Sequence, residues 1–551
     1  MPTELLGFTD LFTNEKPQKI DFYLQGIKKE ELIQNAIRYL SFSENPDAYE
    51  PKKILFSFFD LGDEDRCLVY ADKINKLSKS TGHRYTALSP VCCLRFMEYT
   101  LQSNHKKILS LSSGEKRDRC FKAILSLNDD LNNRKKKISD NNPLQRIIGK
   151  SLISECYRIR FTSFLLLAQL KKAQIFFEYC EKKMPEHLTI FQNKFGLIHW
   201  REYINWICQI YSNSQFTTLE GSKHFIIIDR TSPEYKRAKL FLDCLVLDPE
   251  SFIPGNDFAA LKDFPLIRHG EGYIIVYDQF FIDKLFKSLY FLFNSINDSF
   301  KGTNNYIKHF KSSLGINFYE KELAVKLIRS FFDDSHDFWD SSQLTDRGDI
   351  DCYVRKGNCH FVFECKDILI KGDIIDRCDT EMFIQQVKER LYISEKGKQK
   401  AVRQLVCYIK KMLASECDKP ECHPKKGIIY PVIVLDNRIF SIRGVNQLVN
   451  LWFRNELKNE GIEAKNIQPV TIITIDILAV LYNKFPIPES SLENLINYYW
   501  NLYRTLGDAI LSFEEMIELY FINNNREKEI FTSGISLINE EINHRTERNI
   551  P

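Results

Sequence analysis

Several features that would make a function class easy to read are missing. Net charge is only +3 over 551 residues, so the chain is no polycation, and a nucleic-acid surface must be a local patch. The fifteen cysteines lack framework spacing, and Cys156 and Cys208 fall inside helical apolar patterns. Reduced thiols fit better than disulfides. The strongest apolar run, Phe164 to Ala168, is soon followed by Lys171 and Lys172 and is too short to span a bilayer. Met1 to Leu6 shows neither the basic n-region nor the apolar core of a signal peptide, so a soluble, cytoplasmic protein without a membrane partner is expected. No G-x-x-x-x-G-K-[ST] loop occurs, which argues against ATP-driven translocation by this chain. No convincing fixed-period repeat is found either, although stacked helical pairs stay open.

What is present is enough apolar material for substantial cores: 44% hydrophobic and 13% aromatic residues. The length suggests about two to four domains. Residues 1–220 read as mostly helical, with Leu32, Ala36, Tyr39 and Leu40 at helical spacing, and Phe121, Ile124 and Leu125 likewise. This region would serve as sensor, scaffold or docking region for a homo-oligomer or a regulatory protein. Arg134 to Lys137, flanked by asparagines, reads as an exposed loop or a phosphate-binding run. A long amphipathic helix is expected from about 144 to 183, with Trp200 and Trp206 in the core. Residues 221–314 read as a mixed α/β segment. It contains strands over Lys223–Asp229 and Tyr273–Tyr277, an apolar helix over Phe280–Phe293 and a linker over 294–315.

The most informative stretch is Gly348 to Lys366. Ile350, Cys352 and Val354 alternate with more polar residues, Lys356-Gly357-Asn358 turns the chain, and Phe361 to Phe363 is a short apolar run. This pattern predicts a two-stranded hairpin. Period two puts Glu364 and Lys366 on one face, with Asp351 on the adjoining strand. Two carboxylates and an ammonium beside an apolar run are costly to bury unless they act together, for instance around a divalent cation. E-x-K spacing alone is weak: it recurs at Glu181/Lys183, Glu234/Lys236 and Glu456/Lys458, where a solvated face is expected.

Asp351 followed by Glu364-Cys365-Lys366 after a hydrophobic strand resembles the PD-(D/E)XK nuclease superfamily. The resemblance covers roughly residues 315–480 and implies an α+β or α/β fold. In it, a restriction-endonuclease-like αβββαβ core occupies the C-terminal half, behind the large helical region and ahead of a helical extension over 481–551. The predicted helix from Phe318 to Phe332 would open this core. Glu320 lies three residues before Leu323 and seven before Leu327 on its apolar stripe, whereas Glu322 lies off it, so Glu320 is preferred as the auxiliary acid. A first-turn Glu favoured by the helix dipole is the plainer alternative. Asp349 would assist Asp351 or sit at the strand entry, and Asp346, Asp367, Asp373, Asp376 and Asp379 read as loop residues. Gln404 and Tyr408, one turn apart on a helix over Lys398–Met412, resemble the Q-x-x-x-Y motif of RecB-type members. Lys396, Lys398, Lys400 and Arg403 make that helix entrance basic. Further strands are expected over Gly427–Leu435 and Val470–Ile475, with a helix over Val445–Lys458 between them. The first core strand cannot be identified within Asp337–Thr345.

The resemblance implies Mg2+, with Mn2+ as substitute, held by Asp351, Glu364, the Cys365 carbonyl and Glu320. Lys366 would orient water or stabilise developing charge, and Gln404 and Tyr408 would position the phosphate or the lysine. It further implies a nucleic-acid partner, most simply DNA, cut by endonucleolytic hydrolysis, and by analogy a regulated microbial defence effector. The alternative class is a non-cleaving nucleic-acid-binding or scaffold protein. A zinc site from Cys407, Cys417, Cys422 and His423 is the rival metal reading, set against free thiols in a loop.

Overall fold

The computed structural model describes residues 3–43, 51–102, 110–135, 142–154, 156–157, 162–214, 225–332, 336–344, 350–417, 427–482, 491–506 and 510–523. Three sheets organise them. Near the N-terminus, β1 (Thr3–Leu5) and β2 (Arg84–Thr86) pair in parallel within a helical layer. A four-stranded sheet follows, from β3 (Phe225–Ile226), β4 (Val246–Leu247), β5 (Leu266–His269) and β6 (Gly272–Ile275), in the order β3-β6-β5-β4. The third holds the chemistry-bearing residues. It contains β7 (Asp337–Asp340), β8 (Cys352–Lys356), β9 (Cys359–Lys366), β10 (Ile428–Leu435) and β11 (Thr471–Thr474), in the order β11-β10-β9-β8-β7. The chain is therefore mixed α/β, largely helical, with its main sheet in the C-terminal half.

The expected hairpin forms as β8 and β9, antiparallel, with Cys352 opposite Phe363 and Lys356 opposite Cys359. Gly357 takes φ +58° in the two-residue turn, where glycine relieves the Cβ clash of a left-handed backbone. Gly357→Ala is expected to cost about 1–2 kcal/mol, read as a shift in the urea midpoint; no shift would show that the turn does not hold this geometry. β9, β10 and β11 run parallel. Their apolar runs are continuous rather than alternating because helices cover both faces. Pro431 is tolerated inside β10 because the β11 ladder begins only at Val432.

Two apolar cores flank this sheet. On one face, Tyr353, Val362, Ile429 and Ile433 join a core shared with the N-terminal helices and with helices Ala401–Ala414 and Val445–Asn459. On the other, Cys352, Val354, Phe361, Phe363 and Val432 pack with helix Thr162–Lys183, with Phe318, Leu323 and Leu327, and with the C-terminal Tyr499 and Ile517. Each fully buried side chain of this kind contributes roughly 1.5–3 kcal/mol. The expected segment boundary at 220 falls among residues outside the description. The hydrophobic packing changes partner earlier, between Tyr157 and Phe164.

Several expected elements differ in detail. The helix predicted over 144–183 is two helices, Pro143–Ser154 and Thr162–Lys183. The second is buried without interruption from Phe164 to Glu178, so its polar residues needed internal partners rather than solvent. The apolar helix over Phe280–Phe293 is broken into Asp278–Ile282, a tighter turn at Asp283–Leu285, and Leu289–Ser299. Residues 294–299, expected in a linker, belong to that last helix. There buried Asn297 bonds both the N–H and the carbonyl of Ile307 and ties down the following turn. Arg134 and Lys135 end helix Ser113–Lys135 rather than lying in a loop; Lys136 and Lys137 lie outside the described residues. Trp200 is buried, and Trp206 packs against the same core. No described helix is long and apolar enough to cross a membrane.

Candidate active site

The register of β8 and β9 sets the geometry. With Cys352 opposite Phe363, Asp351 at the entrance of β8 falls opposite Glu364, and alternation brings Lys366 to the same face. The Lys366 ammonium contacts Glu364 Oε1 and stands 3.8 Å from Asp351 Oδ2. Asp351 Oδ2 also accepts the Cys365 N–H at 2.7 Å, so a backbone bond fixes the carboxylate against the hairpin. The Glu364 side chain is 1% exposed. Its Oε2 finds no hydrogen-bond partner among the described residues. An orphaned carboxylate oxygen is expensive to keep unless something outside the chain completes it.

Glu320 reaches this group from the opposing helix. Phe310–Leu314, Gly315–Ala324 and Val325–Arg329 run on from one another, the middle stretch with i→i+5 hydrogen bonding, a rare geometry that often accompanies functional sites. Glu320 is half-buried and Glu322 is exposed, the orientation its place on the apolar stripe predicted. The Glu320 carboxyl is pushed up to about 7, first by burial and then by Asp351, with Lys366 pulling the other way. Burial likewise raises Asp351, against Lys366 and the Cys365 N–H. It raises Glu364 well above the carboxylate range, helped by Asp351 and opposed by Lys366. Burial works against the Lys366 charge, but Glu364, Asp351 and Glu320 outweigh it and hold the ammonium protonated. Across this contact the ammonium keeps its charge: fully ionised, three carboxylates outnumber it by two charges, so the surplus proton belongs to the carboxylates. A dication would remove the same surplus.

In donor chemistry the residues therefore suit a hard dication: anionic oxygens, one buried and orphaned. Asp351 and Glu364 would hold it, with Glu320 nearby. Among the described residues no three of His, Cys, Asp and Glu stand together as a ready metal site. Cys365 is buried with its side chain in the opposite core, which leaves only its backbone to face the site. The Cys407, Cys417, Cys422, His423 alternative is only partly visible. Cys407 lies on helix Ala401–Ala414 and Cys417 is buried; Cys422 and His423 lie outside the described residues, as do Asp346 and Asp349.

Helix Ala401–Ala414 lies over the site face of the sheet, packing Val402, Leu405 and Ile409 into the core that holds Val362. Tyr408 is buried and Gln404 half-buried on it. Arg403, expected as part of a basic entrance, is engaged elsewhere. Its Nε bonds Glu456 Oε1 at 2.6 Å, and the Tyr392 hydroxyl bonds Glu456 Oε2 at 2.6 Å. Glu456 is thus a buried anchor, not the solvated residue its E-x-K spacing suggested. The acids expected in a loop after Lys366 are also more ordered. Asp373 and Asp376 belong to helix Gly372–Arg377, and Asp379 caps Thr380–Leu391 by accepting the Met382 N–H. Capping a helix start is a structural use of Asp that its sequence position fits.

One cluster was not anticipated. At the carboxyl ends of the parallel strands, Lys172 bridges Asp436 at 3.0 Å and Asp476 at 2.6 Å, and Arg438 bridges Asp476 and Asp283. An acid directly after each of two predicted strands was the available signal, but Lys172, which joins the two acids, lies more than 250 residues before them. Compared with known proteins, the chain matches no family model, no curated protein and no solved structure. The functional reading rests on its own residues.

Proposed function

We propose that the chain is a metal-dependent nuclease of the PD-(D/E)XK type, hydrolysing phosphodiester bonds of nucleic acid, most simply DNA cut internally. The observation that carries this reading is the meeting of Asp351, Glu364 and Lys366 at one end of the hairpin, with a Glu364 oxygen buried and unpartnered. The element order supports it: a helix, strands β7, β8 and β9, helices and β10 run in the order αβββαβ expected of such a core, and a further helix and β11 follow, with β7 the candidate for its first strand.

Magnesium, when bound, would withdraw charge from phosphate oxygens and acidify a water. The chain's residues do the rest. Asp351 and Glu364 would supply the negative field to hold the cation, Asp351 being oriented by the Cys365 N–H. Lys366 stays charged and directs its ammonium to the attacking water or the phosphate oxygens. Glu320, titrating near neutrality, accepts or releases a proton at the edge of the site. Gln404 and Tyr408 position the phosphate or the lysine. The N-terminal helical region would restrain or recruit the nuclease, as in defence effectors, by fold-level analogy.

The test compares wild type with Lys366→Ala on supercoiled plasmid, linear duplex, single-stranded DNA and RNA, with magnesium, manganese or EDTA. Metal-dependent cutting lost in the variant is expected. Undiminished cutting by the variant overturns the assignment. A second prediction concerns pH. In EDTA, Glu320 binds its proton more tightly folded than unfolded, so it contributes stability below its ordinary value near 4.5 that is lost as pH rises through about 7. The melting temperature of wild type should therefore fall relative to Glu320→Gln between pH 5 and 8. Manganese should narrow that gap, and binding it near pH 6 should release protons, measurable by calorimetry in buffers of different ionisation heat. An equal pH dependence in both proteins overturns it.

A further inference from the structure

Residues 393–400 form a short closed loop beside the candidate site. Ile393 and Gln399 bridge antiparallel, the Gly397 N–H bonds the Ser394 carbonyl at 2.8 Å with φ +73° at Gly397, and the Lys398 N–H bonds Ser394 Oγ at 3.0 Å. The Lys400 N–H returns to the Tyr392 carbonyl at 3.2 Å. Tyr392 is itself anchored by Glu456 and stacks on Trp452. The loop is thus held at both ends, and its lysines are presented from a fixed backbone. Lys398 and Lys400, two apart in extended chain, project to the same side.

Lys400 is close enough to Lys398, Lys366 and Arg390 for all three to depress its ammonium, after burial. Among the described residues no carboxylate pairs with Arg390, Lys398 or Lys400, although the chain pairs many surface cations elsewhere. Arg403, one turn on, is committed to Glu456. Cations gathered around Lys400 without a carboxylate between them are a cost in the free protein, and a polyanion would relieve it.

We propose that Arg390, Lys398 and Lys400 form a docking surface for the sugar-phosphate backbone of a nucleic-acid strand, delivering the phosphate next in line to Lys366. This rests on the nuclease reading and names how its substrate is held. Backbone contacts carry no sequence information, so the surface provides affinity and register without base preference.

The experiment is equilibrium binding of labelled short duplex and single-stranded DNA to the full chain in EDTA, across a salt series. It uses wild type, Lys398→Ala, Lys400→Ala, the double variant, and Lys79→Ala as a charge-matched control on helix Glu64–Thr81. Each removed contact is expected to lower the salt slope by about one unit. The double variant should bind at least about tenfold more weakly in moderate salt, uniformly across sequences, while Lys79→Ala changes nothing. An unchanged slope in the double variant, or an equal loss in Lys79→Ala, overturns the surface, as does wild type without affinity for either probe. Failure of the nuclease reading is seen separately, as cutting that survives Lys366→Ala. Melting temperatures of the lysine variants check that they fold.

Discussion

Glu364→Gln is expected to abolish cleavage and, at the same time, to raise the melting temperature of the metal-free protein. The two effects share one cause. Glu364 is buried to 1% exposure with one oxygen unpartnered, and burial, Asp351 and Glu320 all push its carboxyl up. Holding that charge inside the fold costs stability that grows as pH rises above the ordinary glutamate value, because the unfolded chain releases the proton first. The amide carries no charge and can donate towards Asp351. A gain of about 1–3 kcal/mol is the scale expected for relieving an unsatisfied buried group, larger at pH 8 than at pH 5. Magnesium should stabilise wild type and leave Glu364→Gln nearly unmoved.

Lys366→Ala is the counterpart. It removes the one ammonium facing the carboxylates, so stability at pH 8 should fall while cleavage drops about 100- to 1,000-fold, the usual scale for one lost charge-stabilising donor. A structural ion pair would behave differently: both substitutions would destabilise, and neither would touch a cleavage activity. Thermal melts in EDTA and in magnesium, with plasmid cleavage on the same preparations, separate the two. Stabilisation without loss of cutting would remove Glu364 from the chemistry, and destabilisation by Glu364→Gln would make it a structural partner of Lys366.

How far the sequence could be read follows from how local each signal is. The hairpin was legible because alternation, a glycine turn and an apolar run all lie within Gly348 to Lys366. Glu320 was legible because helical spacing separates it from Glu322. β7 was not, since its residues Asp337 to Asp340 carry mixed polarity and form a strand only by pairing with Cys352 to Arg355. Glu456 defeated pattern reasoning for a related reason. Its partners, Tyr392 and Arg403, lie about fifty to sixty residues away, and nothing in E-x-K spacing distinguishes a buried anchor from a solvated acid. Lys171 and Lys172 read as the polar end of an apolar run, yet both are buried. Lys172 is held inside by Asp436 and Asp476, which no local window contains.

Those distant acids yield the largest stability effect. Asp476→Ala is expected to destabilise the protein by about 3–5 kcal/mol, the range for removing one partner of a buried ion pair. Lys172 has 1% of its side chain exposed and lies 2.6 Å from Asp476 and 3.0 Å from Asp436. Arg438 Nε meets the other Asp476 oxygen at 2.5 Å, and Gln169 donates to the first. Burial alone would raise Asp476, but Arg438 and Lys172 outweigh it and hold the carboxyl well below its usual range. Its stabilisation is therefore present above about pH 4 and is lost as pH falls below that, so the penalty of Asp476→Ala should shrink on acidification. Urea denaturation of wild type and variant at pH 7 and at about pH 3 measures both. A penalty below about 1 kcal/mol at pH 7 would mean the network is solvated and its partners independent. The activity consequence follows from the register. Asp436 directly continues β10, whose last residue, Leu435, pairs with Lys366, so Lys172 fastens helix Thr162–Lys183 to the strand end beside the candidate lysine. Releasing it should lower cleavage through Lys366's position rather than its charge: kcat falls, while the pH profile keeps its shape.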